Sequence, residues 1–118
     1  NTVKVFVYWN LHKNVWSVKA LEGPQRGRVV GHHKQVLLAN ATGKVSEAGR
    51  QRVLREQRKN VHAGIVGTLV HTGVEGYFPG LQVTYNPYKY SSFVYKDTEE
   101  AYTGSQFAYM DNRKVTVL

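Results

Sequence analysis

The sequence contains no cysteine, which removes disulfides, thiolate nucleophiles and cysteine-ligated zinc, and is compatible with a reducing compartment. No apolar run approaches the roughly 20 residues that a membrane helix needs, so no membrane association is expected. The phosphate-cradling GxxxxGK(S/T) loop, a GxGxxG turn after a strand, the GxSxG elbow and HExxH are all absent, and neither a cofactor nor a metal is implied. No methionine precedes Asn1, so a trimmed start is expected and any leader would be invisible. Asn40-Ala41-Thr42 fits an N-glycosylation acceptor, and is read as incidental because such triplets are common.

What is present is a basic chain of ordinary apolar content. Its 118 residues, 42% hydrophobic and 20% charged, suit one folded domain spanning 1–118. The net charge of +8 is unevenly spread: residues 1–62 hold 12 Lys/Arg against 3 Asp/Glu, and residues 63–118 hold 4 against 5. The second half instead carries seven of the tyrosines, from Tyr77 to Tyr109, with Phe78, Phe93 and Phe107. Folded together, the halves could form an anion-binding groove with stacking surfaces, or a basic surface over an aromatic core.

Runs rich in β-branched and aromatic residues predict strands at 3–9, 15–21, 28–30, 35–41, 61–70, 81–85, 91–96, 106–110 and 114–118. Residues 10–14 read as a turn, with Trp9 and Trp16 packing near the open side of that hairpin. Asp111-Asn112-Arg113 reads as a tight turn. Gly64 and Gly67 hint at close backbone approach or a bulge. One helix is predicted over about 46–59, capped by Ser46 and stopped by Asn60, with Gly49 weakening it. The fold class is therefore α+β: a mainly antiparallel, curved sheet or partly closed barrel with one basic helix packed on it.

At the helical repeat, Arg52, Arg55, Arg58 and Lys59 share one face, and Gly49, Val53 and Leu54 share the other. The basic stripe suits phosphate, because each guanidinium offers a planar fork of donors and each contact releases counterions. A solvated face paired with Glu47 or Glu56 is the alternative. Arg50 points to the covered side, where its permanent charge needs a carboxylate such as Glu75, backbone carbonyls or a bound anion. Lys59-Asn60-Val61-His62 then places a cation, an amide and an imidazole at the end of the helix. With His62 or His12 as base, Arg50 or Lys59 stabilising charge and Asn60 orienting, that mix could cleave a phosphoester. A hydrogen-bonded structural histidine is the alternative. His32 and His33 are consecutive and point to opposite faces of a strand, so they would not chelate one ion. Tyr85, Tyr88 and Tyr90 are candidate stacking residues in a segment that matches no RNA-binding signature.

The run from Lys44 through Glu56, continuing in Lys59-Asn60-Val61-His62-Ala63, resembles small proteins encoded by tailed bacteriophages. Asn10-Leu11-His12-Lys13 and Trp16-Ser17-Val18 share that likeness, which spans about residues 10–70. The resemblance transfers no activity and no catalytic residue. It implies a host bacterial cytoplasm, or a virion, as the setting.

Three classes of function follow. The leading one is a non-enzymatic binding module for nucleic acid or another polyanion, with Arg50, Arg52, Arg55, Arg58, Lys59 and Asn60 at the anion. The second is a small enzyme acting on a nucleotide or phosphoester through His62 or His12 with Arg50 in one cleft. The third, which the phage resemblance adds, is a structural or inhibitory protein that binds another protein or assembles with its own copies.

Overall fold

The computed structural model describes residues 3–118; the chain start at Asn1 and Thr2, where trimming is expected, lies outside the described residues. The chain runs β1 (Lys4–Asn10), β2 (Val15–Ala20), β3 (Val29–His33), β4 (Gln35–Val45), α1 (Glu47–Glu56), β5 (Ala63–Thr72), β6 (Leu81–Thr84), β7 (Val94–Tyr95), β8 (Ser105–Asp111) and β9 (Lys114–Val117). All nine strands join one antiparallel sheet in the order β3-β2-β1-β5-β4-β8-β9-β6-β7. The fold is α+β with a curved, open sheet and one small helix, as the strand and helix patterns predict.

The curvature follows from connectivity. Lys34 alone separates β3 from β4, yet the two strands lie four places apart in the sheet. In a flat sheet four strand spacings would hold them about 19 Å apart, whereas three consecutive residues span only about 7 Å. The sheet must therefore coil so that its β3 edge swings back toward the start of β4. Inside that coil Val5, Val7, Val18, Val36, Leu38 and Met110 are almost completely buried. In β1 the alternation of buried Val5 and Val7 with the less buried Lys4, Phe6 and Tyr8 is the period of a half-buried strand.

Several boundaries differ from the sequence expectation for local reasons. β4 does not end near Ala41, because Asn40 takes a left-handed φ of 51° and the register shifts there. The bulge re-aims the strand and lets it continue to Val45 opposite Ala63. Gly67 sits opposite that bulge, where an added Cβ would meet the Ala39 carbonyl at 2.9 Å. Trp9 and Trp16 are paired partners beside the turn, not at the open side, with ring centroids 5.2 Å apart. Asn112 and Arg113 both have positive φ, 49° and 68°, the geometry of a two-residue hairpin turn matched to strand twist.

The helix starts where expected: the Ser46 hydroxyl accepts from Gly49 N–H, and Glu47 opens the first turn. It ends three residues early. Gln57 adopts φ 57° and its N–H returns to the Val53 carbonyl at 2.8 Å, closing the last turn in the left-handed manner usually given to glycine. Arg58 and Lys59 therefore lie beyond the helix. Its inner face meets the 60–62 segment, where Asn60 and His62 lie against Gly49. Through Arg50 it also meets the loop after β6. No helix among the described residues is long and apolar enough to cross a membrane.

Candidate functional site

The chemistry-bearing residues collect where the helix exit, the β1–β2 turn, the loop after β6 and the β8–β9 turn converge. Asn86-Pro87 begins a compact turn: Lys89 and Tyr90 N–H groups donate to the Asn86 carbonyl, and Tyr88 N–H donates to its side chain at 2.9 Å. Asparagine and proline favour this geometry for separate reasons, a self-made side-chain acceptor and a preset φ. The turn holds Tyr88 outward, 54% exposed.

Arg50 fastens this loop to the helix. Its Nε donates to the carbonyls of Pro87 and Tyr90 at 3.1 and 2.9 Å, and its Nη1 meets Glu47 at 3.0 Å. With only 17% of its side chain exposed, the guanidinium takes backbone carbonyls and Glu47 as partners, not Glu75. The Gln51 amide, followed by the Arg50 guanidinium, holds the Glu47 carboxyl below its ordinary value despite some desolvation.

Behind the loop runs a hydrogen-bonded chain. Asn60 Nδ2 donates to the Gly49 carbonyl at 3.2 Å, which turns its Oδ1 toward His62 Nδ1 at 2.8 Å. That acceptor makes Nδ1 the protonated ring nitrogen and leaves Nε2 to accept from the Tyr85 hydroxyl at 2.7 Å. Desolvation raises the Tyr85 phenol above its ordinary value, with the Arg50 charge opposing, so the hydroxyl keeps the proton it donates. Both nitrogens of His62 are thus occupied. The Tyr85 ring packs on Phe93 at 5.3 Å and edge-on to His62 at 5.4 Å.

These groups wall a cleft of about 530 Å³. Among the sequence candidates, Lys59, Asn60, His62, Tyr85 and Tyr88 line it, joined by Tyr8, Trp9 and Arg113, which sequence reasoning did not single out as site residues. The Arg113 guanidinium lies over the Trp9 ring, 5.5 Å from its centroid. Among the described residues no carboxylate lines the cleft. Residues of the basic half and the aromatic half meet here, through the coil of the sheet and not through proximity in sequence.

Other candidates lie elsewhere. His12 is exposed on the β1–β2 turn, where its N–H donates to Asn10 Oδ1 at 3.0 Å, and it is not part of the cleft wall. Arg52 pairs with Glu56 at 3.5 Å on the outer helix face, whereas Arg55, Arg58 and Lys59 have no ion-pair partner among the described residues. Tyr90 directs its hydroxyl to Glu99, a bond that raises its phenol pKa, and gives its carbonyl to Arg50. His32, on β3, bonds the buried Ser17 hydroxyl at 2.9 Å and is not part of the cleft wall. No group of three or more metal-ligating side chains converges among the described residues.

Comparison with known proteins places this site in context. A family profile described as Mycobacterium phage L5 gene 82 protein matches residues 1–118. The gene 82 protein of Mycobacterium phage L5 is 44% identical over 119 residues, covering 96% of this chain and 94% of the relative. No solved structure matches.

Proposed function

The chain belongs to the family of the Mycobacterium phage L5 gene 82 protein, and from that premise we propose that this phage protein is a binding module for nucleic acid or a similar polyanion. One observation carries the reading: a cleft walled by cations and aromatic rings with no carboxylate in its lining. Lys59 and Arg113 supply charge at its rim, and the unpaired Arg55 and Arg58 extend the positive surface outward. Such a surface draws phosphates by Coulomb attraction and counterion release. Arg50 serves by holding the Tyr88 loop, not as a contact to the anion. The setting is the host bacterial cytoplasm or the virion.

Binding accounts for the geometry better than hydrolysis does. A general base needs a free lone pair within reach of a proton, and the one on His62 Nε2 is taken by Tyr85. His12 lies outside the cleft lining.

The test is a salt series with a fluorescent oligonucleotide. The logarithm of affinity should fall linearly with the logarithm of salt concentration, and Arg58→Glu with Lys59→Glu should weaken binding about tenfold or more at low salt. Affinity that stays flat from low to high salt, or is untouched by the charge reversals, would sink the proposal.

A further inference from the structure

We infer that the cleft is a subsite for an unpaired nucleobase, so that the nucleic acid this protein takes is single-stranded. The inference rests on the polyanion reading above and narrows it to a substrate class. A surface that met only phosphate would need cations on an open face. Here the cations Lys59 and Arg113 are interleaved with the rings of Tyr8, Trp9, Tyr85 and Tyr88, brought from four separate parts of the chain to one concave wall. The volume of about 530 Å³ falls in the roughly 300–1,000 Å³ range of small-ligand sites.

Several polar atoms of the wall are already engaged with one another. Tyr85 gives its hydroxyl to His62, His62 its Nδ1–H to Asn60, and Asn86 its side-chain oxygen to Tyr88 N–H. What the wall chiefly offers a ligand is ring surface and positive charge, beside the hydroxyls of Tyr8, Thr84 and Tyr88. That combination suits the π-face of a base and the phosphate beside it. Base faces within a duplex are covered by their stacked neighbours, so a double strand offers this wall nothing to insert. Arg113 is fixed over Trp9 by the left-handed Asn112–Arg113 turn, which places a cation against the ring and next to the space a base would enter.

The experiment compares four ligands on the full chain: oligothymidylate, oligouridylate, a DNA duplex of equal charge, and heparin. Binding is read by anisotropy and by intrinsic tryptophan fluorescence. Trp16 is 5% exposed, so a ligand-dependent change reports Trp9. Single strands are expected to bind about tenfold tighter than duplex and to quench the fluorescence. Tyr88→Ala changes an exposed ring and should weaken single-strand binding about tenfold while leaving heparin affinity unchanged. A preference for either oligonucleotide over the duplex supports the subsite. Equal binding of duplex and single strand, with no effect of Tyr88→Ala, overturns the subsite and leaves the polyanion reading standing. No binding of any ligand at low salt overturns both.

Discussion

At position 49 two effects of a single methyl group oppose each other. In an exposed helix alanine outranks glycine by about 1 kcal/mol, so Gly49→Ala taken alone should stabilise α1. In place, however, the added Cβ would lie 2.4 Å from His62 Cβ and 3.3 Å from its Cγ, and the first of these is not the end of a flexible side chain. The clash must push the helix away from the 60–62 segment, breaking the Asn60–Gly49 bond that orients His62. Overpacking of this kind costs about 1–3 kcal/mol, which outweighs the propensity gain. Gly49→Ala should therefore lower the urea midpoint and shift the His62 ring resonances, and an unchanged or raised midpoint would refute the packing argument. The same residue marks what was legible in the sequence. Asn60, His62, Tyr85 and Tyr88 could be singled out because each carries its chemistry in its own side chain. Trp9 and Arg113 could not, because their meeting depends on how far the sheet coils, and no local pattern records that.

Element boundaries obey local backbone rules, and α1 shows where those rules can be read. Its start was legible: Ser46 and Glu47 are a cap and a first-turn acid, and the structure uses both. Its end was not, since glutamine at the left-handed position gives no signal of the kind that glycine or asparagine gives. The consequence is testable. Gln57 pays the Cβ penalty of a φ of 57°, and the return it gets from its side chain is one bond to the Leu54 carbonyl at 3.0 Å on the exposed surface. Gln57→Gly removes the penalty, and should stabilise the protein by about 0.5–1 kcal/mol, read as a raised urea midpoint with an unchanged m-value. A lower midpoint would mean that the side-chain bond outweighs the strain. Strand existence was legible throughout from β-branched and aromatic runs, whereas strand ends moved wherever a bulge or a neighbour's register intervened. The two-residue β7 illustrates this: its pairing with β6 covers only Val94 and Tyr95 of the six residues whose composition suited a strand.

For the whole molecule, coiling the sheet brings the basic and the aromatic halves of the chain to one cleft and shields the phenols of Tyr85, Tyr102 and Tyr109 from water. Desolvation is the largest cause of the raised phenol pKa at Tyr85, Tyr102 and Tyr109. All three are therefore harder to ionise in the folded chain than in the unfolded one, whose phenols titrate near the ordinary value of 10.0. A group that holds its proton more tightly when folded contributes stability that is fully present below the unfolded value and is lost as pH rises through the folded one. The folded protein should accordingly lose stability above about pH 10. Lysine deprotonation in the same range lowers the net charge of +8 and relieves repulsion, so total stability mixes two opposite trends. Tyr102→Phe separates them. Tyr102 is 5% exposed, and its hydroxyl reaches the Ala41 carbonyl at 3.1 Å and Ser105 Oγ at 2.7 Å. The variant should be less stable near neutral pH by about 1 kcal/mol for the lost bonds. That deficit should shrink as pH climbs past about 10, because only the wild type then has a phenol at position 102 to ionise. Urea midpoints of the two proteins between about pH 8 and pH 11 give the difference directly. A deficit that stays constant across that range would show that Tyr102 does not couple folding to alkaline pH.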